Sequence, residues 1–264
     1  MRICDPHIHM VARTTDDYER MVLAGIDLVI EPAFWLGQPR RRAGSFFDYF
    51  EHLLEYETVR AAQFGIDHYA LLSLNPRESN DDALRREVLP ELPRYLEHPR
   101  CLGVGEIGFD KITEAEEESL RAQLQLARER KLPVLIHTPH HQKKLGVERT
   151  IRLLRELDYP IGMVLLDHNT EETTEISQLS GAWSGHTVYP TTKLTPERAA
   201  GILQQFGTRR MIVNSSADWG PSDPLAVPKV VRELKKRAMP ESEIEKVVLR
   251  NPVEFFSQSG RLRC

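Results

Sequence analysis

The chain has 264 residues, of which 41% are hydrophobic and 28% charged, with a formal net charge of -4. The composition is ordinary for a globular protein. The net charge excludes an overall positive field that would attract nucleic acid or an anionic membrane, but it does not exclude a local basic patch. Because no apolar run approaches the roughly 18 residues of a membrane span and no signal peptide is apparent, we predict a cytoplasmic protein.

Three cysteines, at Cys4, Cys101 and Cys264, are too few for a disulfide framework and indicate a reducing compartment. Cys4 and Cys101 lie in apolar, strand-like runs, so we expect them to be buried, and we expect Cys264 to be exposed.

Short apolar runs alternate with longer amphipathic segments along the whole chain. The runs predict eight strands, at residues 2–6, 26–31, 68–74, 102–106, 133–137, 163–167, 182–189 and 210–214. The clearest helices are predicted at 115–131, 147–157, 196–206 and 225–237, the third beginning after Thr195 with Pro196 at its first position. This alternation implies parallel strands joined by right-handed crossovers.

We therefore predict an α/β fold of the (β/α)8 TIM-like barrel type, which needs about 250 residues, as a single domain over residues 1–264. A doubly wound open sheet is the alternative, and two small domains are the other possibility on length alone. The longest irregular insertion follows strand two, at residues 32–45, and insertions of that length are often functional.

Residues that can bind metal ions fall at the carboxyl ends of five predicted strands, where barrel enzymes place their chemistry. His7 and His9 end strand one, and their i, i+2 spacing points both imidazoles to the same side of an extended chain. The candidate ligands are His7, His9, Glu106, His137, His168 and Asp218. Each alone has an ordinary explanation, such as a hydrogen-bonded core histidine or a turn aspartate, but their shared position predicts a metal site.

Glu106 stands in a glycine-flanked apolar strand end, where an unpaired carboxylate would cost several kcal/mol. It needs a cation, either an Arg or Lys side chain or a metal, and its two oxygens can bridge two ions. Asp167 precedes His168 and points to the opposite side of an extended chain, so we interpret it as a supporting group and not as a ligand.

Five residues near the predicted mouth are candidates for substrate binding: His140, Lys193, Arg41, Trp35 and Trp219. Lys193 follows strand seven and is suited to a phosphate or carboxylate. The run of arginines around Arg41, beside Trp35, can bind an anionic, ring-bearing substrate, although such runs more often form a solvated surface. On strand seven, His186 and Tyr189 are predicted to face the barrel interior.

These motifs together resemble the TatD-like metal-dependent hydrolases of the amidohydrolase superfamily. The resemblance rests on the HxH at His7, the GEIGFD segment around Glu106, the strand-end histidines and the late Asp218, and it extends from residue 3 to about 256. It implies a barrel with two divalent ions, one held by His7, His9 and Asp218 and one by His137 and His168, with Glu106 between them.

The chain departs from the family pattern at pocket positions. His168 is followed by Asn169-Thr170-Glu171-Glu172 where typical members have a Cys-aromatic segment, and Asp218 is followed by Trp219-Gly220 where they have Ala-Pro. We therefore interpret the chain as a divergent branch in which the metal ligands are kept and the substrate lining has changed.

The expected function is a binuclear hydrolase in which a metal-bound hydroxide attacks an ester, amide or phosphoester bond of a small anionic molecule, with Asp218 handling protons. Four imidazoles favour Zn²⁺, with Mn²⁺ or Mg²⁺ as alternatives. A TatD-type deoxyribonuclease or phosphodiesterase is the second hypothesis, although the net charge makes nucleic acid an improbable partner. A non-catalytic metal-binding barrel in a pathway complex is the third.

Overall fold

The structure is a computed structural model that describes residues 1–35 and 37–263. Eight parallel strands form one sheet in which each strand pairs with the next along the chain. The strands are β1 (Ile3–Asp5), β2 (Ile26–Pro32), β3 (Asp67–Leu72), β4 (Cys101–Gly108), β5 (Val134–His137), β6 (Val164–Leu166), β7 (Trp183–Thr187) and β8 (Met211–Asn214). All eight lie within a few residues of their predicted positions.

This strand order confirms the barrel over the doubly wound sheet, because a doubly wound sheet reverses its order at a switch point. The first and last strands meet just past their ends. The backbone N–H of His9 donates to the carbonyl of Ala217 at 2.9 Å, and that of Ser216 donates to the carbonyl of His7 at 2.6 Å. The sheet is thus a nearly closed barrel whose seam lies beside the candidate ligands.

Helices surround the barrel and confirm the predicted alternation. They are α1 (Thr15–Leu23), α2 (Gly44–Glu51), α3 (Glu57–Ala62), α4 (Asp82–Leu96), α5 (Glu114–Glu129), α6 (Lys143–Glu156), α7 (Thr174–Ser180), α8 (Pro196–Phe206), α9 (Ala226–Lys236), α10 (Glu241–Glu245) and α11 (Asn251–Ser257). The Thr195 hydroxyl accepts a hydrogen bond from the backbone N–H of Arg198, as expected of a helix cap. Among the described residues, none of the helices combines the length and apolar character that a membrane span needs.

The barrel interior is filled by one cluster of inward-facing strand residues, which includes Leu71, Leu135 and Trp183. Phe255 and Phe256 of α11 belong to the same cluster, so this helix packs against the barrel core. The side-chain amide of Asn251 fixes the start of α11 by donating to the carbonyls of Thr208 and Met211. Two further clusters contain the apolar faces of the surrounding helices.

Cys4 and Cys101 are buried, as predicted, whereas Cys264 lies outside the described residues. The prediction for His186 is wrong. Its Nε2 lies 3.0 Å from the hydroxyl of Thr174 on α7, so its side chain faces the helix layer. Side chains alternate along a strand, and the inward positions of β7 belong to Trp183 and its i+2 and i+4 neighbours.

Candidate metal centre

Four imidazoles surround one carboxylate at the carboxyl end of the barrel. Oε1 of Glu106 lies 3.4 Å from Nε2 of His7 and 3.9 Å from Nε2 of His9. Oε2 of Glu106 lies 3.0 Å from Nδ1 of His137 and 3.3 Å from Nε2 of His168. The two oxygens of one carboxylate therefore face two different pairs of imidazoles.

The centre is buried, except that His137 is half-buried toward the cavity. Burial alone would raise the pKa of Glu106, but the charge of His7 and the hydrogen bond from His137 hold it well below its usual range. Burial lowers the pKa of His168 well below its ordinary value, so its imidazole is neutral. A buried carboxylate and neutral imidazoles are the forms that bind metal ions.

His7 is held from behind by Asp167. Its Nδ1 lies 2.6 Å from Oδ2 of Asp167, which is fully buried. Burial would lower the pKa of His7, but the carboxylates of Glu106 and Asp167 raise it to about 9. An imidazole that donates its Nδ1–H to a carboxylate presents Nε2 as the ligand nitrogen, an arrangement typical of metal-binding histidines. Asp167 thus occupies the supporting position expected for it.

The residues present fit a metal ion on two grounds. One ligand atom each from His7, Glu106 and His168 lie within 4.8 Å of one another. The Nε2 atoms of His7 and His9 face each other at 3.3 Å, and Nδ1 of His9 is buried with no hydrogen-bond partner within residues 1–35 and 37–263. Converging nitrogens in a buried pocket are well suited to a shared cation.

Asp218 lies beside this group but outside it. Its Oδ1 accepts hydrogen bonds from the hydroxyl of Tyr189 and the backbone N–H of Gly220, both at 2.8 Å. A Cβ at Gly220 would lie 2.1 Å from the Tyr189 hydroxyl, so a larger residue there would displace the Tyr189 side chain. Among the described residues, the group of ligand atoms within 4.8 Å does not include Asp218, although its side chain lines the same cavity.

A cavity of about 270 Å³ opens above the imidazoles, close to the lower end of the size range of small-molecule sites. Of the five predicted substrate contacts, Trp35, His140 and Lys193 line it. Trp219 does not line it but stacks on Phe34, with ring centroids 5.5 Å apart, and Phe34 in turn stacks on His9 at 3.5 Å.

Arg41 is exposed, and it is not among the residues of the described chain that line the cavity. Its neighbour Arg40 is buried instead in an ion pair with Glu78, with Nη1 2.7 Å from Oε2. Arg77, which the sequence analysis did not predict, lines the cavity instead. Its guanidinium lies 3.9 Å from the ring centroid of Trp35.

Lys193 extends into the cavity from the segment after β7. Its Nζ donates to the hydroxyl of Ser216 at 3.2 Å, and no carboxylate of the described chain lies within ion-pairing distance of it. Burial lowers the pKa of this ammonium group, while Glu106, Asp167 and Asp218 act in the opposite direction.

Residues 5–257 match the sequence profile of the family described as TatD related DNase. An uncharacterised metal-dependent hydrolase from Methanocaldococcus jannaschii is 28% identical over 257 residues, which cover 96% of this chain and 98% of the relative. The crystal structure of a TatD-like protein from Archaeoglobus fulgidus superposes with a TM-score of 0.79 at 27% identity, covering 96% of this chain and 99% of that one.

More distant structures share the fold. A phosphotriesterase homology protein from Escherichia coli, solved with phosphate in its active site, superposes with a TM-score of 0.70 at 15% identity and covers 97% and 98% of the two chains. The family match spans nearly the whole chain and includes every candidate ligand. This chain therefore belongs to the TatD-related DNase family and is a metal-dependent hydrolase built on a (β/α)8 barrel.

Proposed function

We propose that the chain is a binuclear hydrolase that cleaves an ester, amide or phosphoester bond of a small anionic substrate. The observation that carries this proposal is the position of Glu106, whose oxygens face His7 and His9 on one side and His137 and His168 on the other. One carboxylate between two imidazole pairs is the arrangement expected of a bridging ligand in a two-metal site.

The ligand set favours Zn²⁺, because Zn²⁺ binds imidazole nitrogen well whereas Mg²⁺ prefers oxygen ligands. Mn²⁺ is the second choice. Bound divalent ions supply two things: they lower the pKa of water from 15.7 toward about 7, and they polarise the substrate oxygen. His7, His9 and Asp218 would hold one ion, and His137 and His168 the other. Asp167 keeps Nε2 of His7 directed at the site.

Asp218 is the proposed proton carrier. Within the part of the chain that the structure describes, its two side-chain hydrogen bonds both fall on Oδ1, so that one oxygen would hold the ion while the other accepts a proton from the attacking water and delivers it to the leaving group. General acid–base catalysis of this kind typically contributes about 10²- to 10⁴-fold to the rate. Tyr189 and Gly220 hold the carboxylate in place for that role.

The cavity lining supports an anionic substrate. Lys193 lacks a carboxylate partner, and a half-buried ammonium group is stabilised when a substrate carboxylate or phosphate pairs with it. Arg77 adds a second cation to the cavity lining, stacked on Trp35. The volume of about 270 Å³ suits a small molecule.

Deoxyribonuclease or phosphodiesterase activity is the second candidate, favoured by the description of the matching family. The formal net charge of -4 counts against extended binding of nucleic acid, which depends on phosphate neutralisation by Lys and Arg.

A substrate panel separates the two. Protein reconstituted with Zn²⁺ or Mn²⁺ is assayed on carboxylic esters, lactones, phosphomonoesters, phosphodiesters and single-stranded DNA, each over a range of salt concentrations. We expect turnover of a small anionic ester or phosphoester that is lost in the matched variant Glu106→Gln. Turnover confined to DNA with steep salt dependence would favour the nuclease, and turnover unaffected by a chelator would overturn both.

A further inference from the structure

A continuous chain of hydrogen bonds runs beneath the metal centre and joins one ligand of each imidazole pair. It passes from His7 to Asp167 (2.6 Å), from Asp167 to Asn214 (2.9 Å), from Asn214 to Thr187 (2.8 Å) and from Thr187 to His168 (2.6 Å). All five residues are buried, with at most 2% of the surface of any one exposed. Thr187 ends β7 and Asn214 ends β8, two strands whose own residues within the barrel wall supply no candidate ligand.

The donors and acceptors in this series of hydrogen bonds have only one arrangement in which every bond is made. The carboxylate of Asp167 can only accept, so the side-chain amide of Asn214 must present its NH₂ to Asp167 and its oxygen to Thr187. The hydroxyl of Thr187 has one proton, which it donates to that oxygen. The Thr187 oxygen must then accept from His168, and the donor is its Nδ1–H.

This arrangement fixes which ring nitrogen of each imidazole carries the proton when Nε2 binds a metal. With its proton on Nδ1, His168 keeps a lone pair on Nε2, which lies 3.3 Å from Oε2 of Glu106. At the other end, His7 donates Nδ1–H to Asp167, and its Nε2 lies 3.4 Å from Oε1 of Glu106. Both ligand nitrogens are therefore directed toward the bridging carboxylate by the same set of hydrogen bonds.

We propose that Thr187 and Asn214 are positioning residues that fix the tautomers of His168 and His7 together and thereby couple the two metal positions. The proposal rests on the binuclear site proposed above. A purely structural role would also satisfy buried polar groups, but it would require neither a particular tautomer of His168 nor an effect on metal affinity.

The test compares three variants. Thr187→Val removes the hydroxyl at nearly constant volume, and Thr187→Ser keeps it. Thr150→Val is the matched control, because Thr150 is equally buried on α6 and its hydroxyl donates to the carbonyl of Gly146 at 2.9 Å, away from the chain of hydrogen bonds. Zn²⁺ affinity is measured by competition with a chromophoric chelator, and thermal unfolding checks that each variant is folded.

We expect Thr187→Val to weaken Zn²⁺ binding by about 10- to 100-fold, as is typical when the hydrogen-bond partner of a metal ligand is removed. Thr187→Ser and Thr150→Val are expected to stay within a few-fold of the wild type. Wild-type affinity in folded Thr187→Val, or an equal loss in Thr150→Val, would overturn the proposal.

A second readout needs no variant. In long-range ¹H–¹⁵N spectra of the metal-free wild-type protein, His168 is expected in the Nδ1–H tautomer, and an Nε2–H tautomer would overturn the proposal even if Thr187→Val failed to fold. If the proposal of a binuclear site is wrong, the result is different: the wild-type protein binds fewer than two Zn²⁺ ions, whatever the tautomer of His168.

Discussion

Oδ2 of Asp167 lies 2.6 Å from Nδ1 of His7, although the two residues are 160 positions apart in the sequence. The carboxylate reaches the imidazole from the end of β6, and it does so over Gly185 of β7. A carboxylate in this position fixes the orientation of a metal-binding imidazole and strengthens it as a ligand. The packing around Asp167 should therefore determine how well the site binds metal.

Gly185 provides the space for that carboxylate. A Cβ at this position would lie 2.1 Å from Oδ1 of Asp167, so Gly185→Ala must displace the side chain. We expect at least a tenfold loss of Zn²⁺ affinity together with a lower melting temperature. Gly162→Ala is the matched control, because a Cβ there meets no atom within 4 Å. Equal Zn²⁺ affinities for the two variants would show that the position of Asp167 does not matter.

Zn²⁺ binding should release a proton from His7. Its pKa is raised from 6.5 to about 9 in the metal-free protein, because Glu106 and Asp167 outweigh the effect of burial. The metal must displace that proton, so the apparent affinity should rise about tenfold per pH unit from pH 6.5 to 9 and then level off. Calorimetry in buffers of different ionisation enthalpy measures the protons released, and a value near zero at pH 7.5 would contradict the prediction.

The raised pKa of His7 also makes the stability of the metal-free protein fall as the pH rises. A raised imidazole pKa contributes stability that is fully present below about pH 6.5 and is lost as the pH rises through 9. The chelator-treated protein should therefore melt at a lower temperature at pH 9.5 than at pH 6.5.

Asp218→Asn tests the proposed proton carrier. The amide keeps an oxygen that can accept the hydrogen bonds from Tyr189 and Gly220, but it cannot take up a proton. We expect kcat to fall by about 10²- to 10⁴-fold, while at least one ion per chain stays bound. Full activity with metal bound would refute the assigned role.

Lys193→Met tests the anion contact. The substitution keeps the apolar stem and removes the ammonium group that lacks a carboxylate partner in the described chain. If Lys193 binds a substrate anion before and during the reaction alike, KM should rise at least tenfold with little change in kcat. A neutral substrate of the same bond type is the control and should be unaffected. Equal effects on both substrates would argue against a charge contact.

Much of this architecture could be predicted because its signals are local. An apolar run that ends in a histidine or a glutamate marks both a strand and the end of that strand, and the barrel brings all such ends to one rim. That reasoning located the strands and placed Glu106, His137 and His168 at the same rim. The capping hydroxyl of Thr195 was equally readable, because the cap and the helix are adjacent in sequence.

Features that depend on distant side chains could not be predicted in this way. Arg40 is buried and Arg41 exposed, although the two arginines are neighbours, because only Arg40 meets Glu78. Thr187 and Asn214 carry no motif, and their hydrogen bonds toward His168 and Asp167 form only when β7 pairs with β6 and β8 pairs with β7. Their one available signal was a polar residue at the end of a buried strand.

The binuclear centre is tested most directly by the metal content of the protein. After removal of metal, reconstitution with excess Zn²⁺ and equilibrium dialysis, elemental analysis gives the number of ions per chain. The position of Glu106 between two imidazole pairs predicts two ions per chain for the wild type. One ion per chain or fewer at saturating Zn²⁺ would contradict it.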